Sequence, residues 1–90
     1  MWEMLTNKAK YGLRAMCALA SLPDGERLQA HAIADRANVP AKFLETILVD
    51  LRRAGFVESR RGQLGGHALA KAADTIMVGD LIRAIDGPLA

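Results

Sequence analysis

VPAKFLETILVDLRRAGFVESRRGQLGGHALA, residues Val39–Ala70, contains a helix, a break and a hairpin in immediate succession. Pro40 suits the first position of a helix, and the run from about Ala41 to Ala54 stops at Gly55. Within it Leu44, Ile47, Leu48 and Leu51 recur at helical spacing and form one apolar stripe. At about 100° per residue, Lys42, Thr46, Val49 and Arg53 fall on the opposite face, with Glu45 beside them. Phe56-Val57-Glu58-Ser59 then reads as a strand and His67-Ala68-Leu69-Ala70 as its return. The connection Arg60-Arg61-Gly62-Gln63-Leu64-Gly65-Gly66 carries two arginines and three glycines.

Upstream, Ala37-Asn38-Val39-Pro40 is a tight break, because Asn tolerates the left-handed conformation that ends a helix. The helix before it runs from Gln29 or Ala30 to Ala37, with Ile33 and Ala37 inward and Asp35 and Arg36 outward. Thr6 is a good N-cap for a first helix reaching about Ser21, followed by the turn Pro23-Asp24-Gly25. Tyr11, Ala15, Ala18 and Leu22 recur along this helix, as do Leu13, Met16, Cys17 and Ala20. Its second half is therefore expected to be buried on most sides. A last helix covers about Val78–Asp86, with Leu81, Ile82 and Ile85 apolar and Gly87-Pro88 ending it. The expected core is Leu13, Met16, Ile33, Leu44, Ile47, Leu48, Leu51, Leu69 and Ile82. Three helices, a hairpin and one further helix give an α+β, mostly helical winged helix-turn-helix as a single domain over residues 1–90.

Composition narrows the function. Hydrophobic residues make up 51% and charged residues 24%, ordinary for a globular domain. No apolar run nears the roughly 20 residues that span a bilayer, and Met1-Trp2-Glu3-Met4 lacks the layout of a secretory signal. The cytosol is the expected location. The one cysteine, Cys17, has no partner within the chain for a disulfide and sits at a core position, where a buried structural thiol is expected. His31 is expected at the surface and His67 packed at the hairpin base, without metal. The carboxylates are dispersed, and no phosphate loop or dinucleotide fingerprint occurs. The reading is of a non-enzyme.

The net charge is only +2, but its placement is uneven. Lys8, Lys10 and Arg14 lie near the start, and Arg52, Arg53, Arg60 and Arg61 fall within ten residues. A helix following a tight break can lie in a major groove, with its N-terminus toward phosphates. Lys42 can donate to guanine or phosphate, Glu45 can accept from cytosine N4, and Thr46 and Val49 can touch a thymine methyl. Taken alone, the helix fits an ordinary amphipathic helix with a solvated face as well or better. The hairpin tip shifts the balance: glycines allow a narrow turn and close backbone approach, and arginines gain from the negative potential of the minor groove. The candidate DNA-contacting set is Lys8, Ala41, Lys42, Glu45, Thr46, Val49, Arg53, Arg60, Arg61, Gly62 and Gln63. The alternative is a winged helix serving as a protein-interaction module, which an exposed apolar face on the third helix would favour.

Beyond these patterns, the chain resembles the Rrf2 family of repressors that includes IscR, NsrR and CymR. The resemblance runs from Met4-Leu5-Thr6-Asn7-Lys8-Ala9-Lys10-Tyr11-Gly12-Leu13-Arg14-Ala15 through Ile33-Ala34, Val39-Pro40, Phe43-Leu44-Glu45 and Leu51-Arg52-Arg53-Ala54-Gly55. It continues in Arg61-Gly62-Gln63-Leu64-Gly65-Gly66 and ends in Ile85-Asp86-Gly87-Pro88-Leu89. It implies a homodimeric regulator on a partly palindromic double-stranded operator, with Glu45 reading bases and Arg61 entering the minor groove. His67 departs from the aromatic residue usual after the glycine pair. Family members continue into a long dimerisation helix, and many place three cysteines after the Gly-Pro-Leu segment to bind an iron–sulfur cluster. This chain, which stops at Ala90, is expected to lack both and to hold no cofactor of its own.

Overall fold

The computed structural model describes residues 5–87. The order is α1 (Asn7–Ala20), α2 (Ala30–Ala37), α3 (Ala41–Arg53), β1 (Val57–Arg60), β2 (Gly66–Leu69), a 3₁₀ turn (Ala73–Thr75) and α4 (Val78–Asp86). This is the expected winged helix-turn-helix, with each strand displaced by a residue or so from its expected place. Thr6 caps α1, its Oγ1 accepting from the Ala9 amide at 3.0 Å. The same hydroxyl donates to the Asp86 carboxylate at 2.9 Å, so the first helix cap holds the end of α4. A carboxylate is unfavourable at its own helix C-terminus, and the N-terminus of α1 offsets that. Close packing of the two helices depends on Gly12: a Cβ there would overlap the Ile85 side chain.

The core is continuous from α1 to α4. Ile33, Leu44, Ile47 and Leu51 are its largest fully buried side chains, joined by Met16, Leu19, Leu48, Phe56, Leu81 and Ile85. Leu13 and Leu69 pack against it only half-buried. Ile82 does not belong to it: Leu81 and Ile85, four residues apart on one face, take the core positions, and Ile82 lies one step round the helix.

The expected burial of α1 on most sides is also corrected. Its buried residues are Ala9, Gly12, Ala15, Met16 and Leu19. Arg14, Cys17 and Ala20 are exposed, so Cys17 is not a buried thiol. It lies on the side of α1 where Leu13 and Ala20 face an open apolar groove shared with Leu69 and Ile76. The apolar spacing of α1 is as expected, but the small side chains Cys17 and Ala20 leave the groove open.

Strands β1 and β2 pair antiparallel, from Val57 opposite Leu69 to Arg60 opposite Gly66. The segment between α1 and α2 joins their edge: the Leu28 amide donates to the His67 carbonyl at 3.0 Å, and the His67 amide to the Leu28 carbonyl at 2.7 Å. This places His67 toward the tip, opposite Ser59, rather than at the hairpin base. Gly66 makes the approach possible, since its φ is +121° and a Cβ there would stand 2.6 Å from the Leu28 oxygen.

Candidate nucleic-acid interface

Asn38 adopts the left-handed conformation, with φ 55° and ψ 53°, as the sequence predicts. The chain turns at once: the Val39 amide bonds to the Ala34 carbonyl at 3.0 Å, and Val39 is buried. This fixes where α3 starts relative to α2. The stripe Leu44, Ile47, Leu48 and Leu51 faces the core. Ala41, Lys42, Phe43, Glu45, Thr46, Arg52 and Arg53 are exposed, while Val49 is half-buried and offers only part of its side chain. No acidic residue occupies the first turn of α3, so its N-terminal partial positive charge stands uncompensated by its own side chains. Arg52 and Arg53 occupy the last turn, where cations also stabilise the helix; this gives Arg53 a structural role alongside any contact with DNA.

The first helix braces this face. Lys8 pairs with Asp50 of α3, Nζ to Oδ2 at 2.8 Å, so its charge is shared with a carboxylate. Tyr11 stacks on Phe43 with ring centroids 5.8 Å apart, and the Lys42 ammonium lies 5.1 Å from the Phe43 centroid. Phe43 is therefore an aromatic ring held between a second ring and a cation, yet 44% of it remains exposed. The stripe count missed this pair, because an exposed aromatic next to the stripe looks like a ragged core edge. Its signal was the Tyr11 and Phe43 side chains themselves, two of the chain's few aromatic residues.

At the wing, Arg60, Arg61, Gly62, Gln63 and Leu64 are all exposed. The tip closes through the Gly65 amide bonding to the Gly62 carbonyl at 3.0 Å. Gln29, at the N-cap of α2, donates from Nε2 to the same Gly62 oxygen at 3.2 Å. The close approaches expected of the glycines are in part to the chain itself: Gly65 lies against the Arg60 and Arg61 carbonyls. In mid-wing the His67 Nδ1 lies 2.7 Å from the Ser59 hydroxyl. Burial, and then the charge of Arg52, lower the His67 pKa below its ordinary 6.5. The ring and the Ser59 hydroxyl share this one hydrogen bond, and the tautomer of the imidazole sets which of the two donates.

Of the residues singled out from the sequence, the structure gathers Lys8, Lys42, Glu45, Thr46 and Val49 around α3, and Arg60 to Gln63 at the wing tip. Among the described residues there is no cluster of three His, Cys, Asp or Glu side chains able to hold a metal ion. Cys17, with apolar neighbours on α1, does not fit a cluster site. No helix among the described residues is long and apolar enough to cross a membrane.

Comparison with known proteins agrees with this geometry. An rrf2-like HTH-type transcriptional regulator of Rhodobacter capsulatus is 46% identical over 90 residues, which is 97% of this chain and 60% of that protein. The HTH-type transcriptional regulator slr0846 of Synechocystis sp. is 42% identical over 85 residues, 94% of this chain and 58% of the relative. The structure of CymR, the global cysteine regulator of B. subtilis, superposes with a TM-score of 0.86 at 37% identity, covering 93% of this chain and 65% of that one. IscR of T. potens superposes with a TM-score of 0.85 at 37% identity, covering 96% and 63%. These relatives are regulators, not enzymes, and the chain spans about 60% of the first one's length. Residues 5–90 match the family described as iron-dependent transcriptional regulators, and the chain belongs to this family, Rrf2.

Proposed function

We propose that this domain binds double-stranded DNA sequence-specifically, with α3 in the major groove and the wing tip in the minor groove, and that the regulator it serves is a repressor. The observation that carries this is the outer face of α3. It is uncovered, has no acid in its first turn, and belongs to the same domain as a tip of two exposed arginines. Glu45 discriminates bases, since a carboxylate repels phosphate and gains only from a donor such as cytosine N4. Arg61 senses groove width and potential. An exposed Phe43 on the outer side of α3 favours a protein partner instead; the adjoining Lys42 and the arginines of the wing tip favour DNA.

The test is selection of duplexes from random oligonucleotides, then titration of variants on selected and scrambled duplexes across a salt series. Glu45→Ala is expected to relax preference at one base position by about 1–3 kcal/mol and to leave non-specific binding intact. Arg61→Ala is expected to lower affinity, most at A·T-rich flanks, and to flatten log K against log salt by about one unit. Equal losses on every sequence would refute Glu45 as a reader; no loss in either variant would hand the domain to the protein-interaction reading. The whole regulator acts as a homodimer in this proposal, and the 90 residues alone bind a half-site as a monomer. A stable dimer of this chain in micromolar sedimentation would contradict that.

A further inference from the structure

Leu64 is 98% exposed, the barest large apolar side chain among the described residues. Phe43, Met77 and Val78, the other exposed ones, all keep a third or more of their surface covered. Leu64 lies in the turn closed by the Gly65 amide and Gly62 carbonyl, and that turn is tied to α2 through Gln29. Gly65 packs against the Arg60 carbonyl so closely that a Cβ would overlap it. The backbone under Leu64 is thus held from both sides while the side chain touches nothing. It contributes nothing to folding, and only a partner can bury it.

We propose that Leu64 is an apolar contact of the wing, packing on the deoxyribose walls of the minor groove beside Arg61. This rests on the DNA reading above and extends it to a residue outside the charged set. A sugar wall suits a single leucine, offering C–H surface between phosphates that the neighbouring arginines engage. A protein interface does not: one isolated side chain is far from the ~800 Å² that each partner of a stable complex buries. Intercalation between base steps is disfavoured by the neighbour. A wedge unstacks bases and kinks the duplex, whereas Arg61 gains most in a narrow, undisturbed groove. Packing on sugars carries no base information and releases no counterions, so the contact is insensitive to both sequence and salt.

The experiment compares the wild-type chain, Leu64→Ala, Leu64→Met and Arg61→Ala on a selected A·T-rich duplex and a scrambled duplex, over a salt series. Circular dichroism melting checks folding. Leu64→Ala is expected to melt like the wild type and to bind both duplexes about tenfold more weakly, with an unchanged slope against salt. Leu64→Met is expected to restore most of the affinity, and 2-aminopurine under the wing to stay stacked on binding. Wild-type affinity in Leu64→Ala, while Arg61→Ala loses affinity, overturns the proposal. So does a loss confined to one duplex, or 2-aminopurine fluorescence that rises with wild type but not with Leu64→Ala. If the wild type binds neither duplex at low salt, the DNA reading itself fails, and this proposal with it.

Discussion

Replacing Gly66 with alanine tests whether the wing is built onto the body of the domain or merely hangs from it. Gly66 has φ +121°, where an L side chain is strained by roughly 1–3 kcal/mol. Its Cβ would also stand 2.6 Å from the Leu28 oxygen and 2.7 Å from the Leu28 carbonyl carbon. These are backbone atoms that no rotamer change can move. Relief requires β2 to leave Leu28, losing the two His67–Leu28 hydrogen bonds of 2.7 and 3.0 Å, each worth about 0.5–1.5 kcal/mol net. Together the cost is roughly 2–6 kcal/mol, out of about 5–14 kcal/mol for a domain of 90 residues. At about 4–8 °C per kcal/mol, the melting midpoint is expected to fall by about 8 °C or more. The control is Gly25→Ala, at φ +84° with nothing within 4 Å of the new Cβ, which pays for the conformation alone. Thermal unfolding followed by circular dichroism compares the two. Equal losses would refute the argument, because the contact with Leu28 would then contribute nothing.

Leu48, 5% exposed on the inward stripe of α3, is expected to cost about 2–5 kcal/mol when replaced by alanine; an unchanged denaturation midpoint would mean that the stripe is not core. His67, whose pKa lies below 6.5 chiefly through burial, binds fewer protons folded than unfolded, so its contribution is full above pH 6.5 and is lost as pH falls from there to the folded value. The stability of the wild type relative to His67→Phe should accordingly fall on acidification across that window, and a pH-independent difference in urea titrations would count against it. The chain should carry neither iron nor sulfide after anaerobic purification, since Cys17 is its one cysteine. Stoichiometric iron that disappears in Cys17→Ser would show ligands shared between chains.

The helices were legible because their ends are marked locally. Thr6, Asn38 and Ala54-Gly55 each act through neighbours within a few residues, as the sequence predicts, while Pro40, expected at the first helical position, stands one residue earlier at the N-cap of α3. What failed to show was nonlocal. Leu28 looks like loop, and only the return of β2 gives it a strand partner 39 positions later, at His67. The Thr6–Asp86 and Lys8–Asp50 contacts likewise join residues far apart in sequence. Ile82 reads as core because Leu81, Ile82 and Ile85 look alike until the packed face is known, and the spacing of Leu81 and Ile85 then settles it. Cys17 shows the opposite limit: its place among apolar positions of α1 predicts burial, but the open groove beside it leaves it exposed.

Three consecutive residues, Arg27 to Gln29, tie the wing to the start of α2. Arg27 pairs with Glu58 on β1 at 2.6 Å, Leu28 exchanges backbone hydrogen bonds with His67 on β2, and Gln29 bonds to Gly62 at the tip. The segment therefore grips both strands and the turn of the wing, and α2 begins directly after it at Ala30. The individual terms are modest. A partly exposed ion pair such as Arg27–Glu58 is worth about 0–1 kcal/mol, and the buried Nη1 of Arg27 has no hydrogen-bond partner, which reduces it further. Their joint effect is geometric. α2 sets α3 through the Asn38 turn and sets the wing through residues 27–29, so the same short segment relates the outer face of α3 to the wing tip. A wing free to move would have to be ordered at the moment of binding, at about 0.5–1.5 kcal/mol for each side chain immobilised. On the proposed DNA reading, the contacts of residues 27–29 meet that cost during folding, so a methyl group at Gly66, which touches neither Glu45 nor Arg61, is expected to weaken binding of the selected duplex, and unchanged affinity would refute this link.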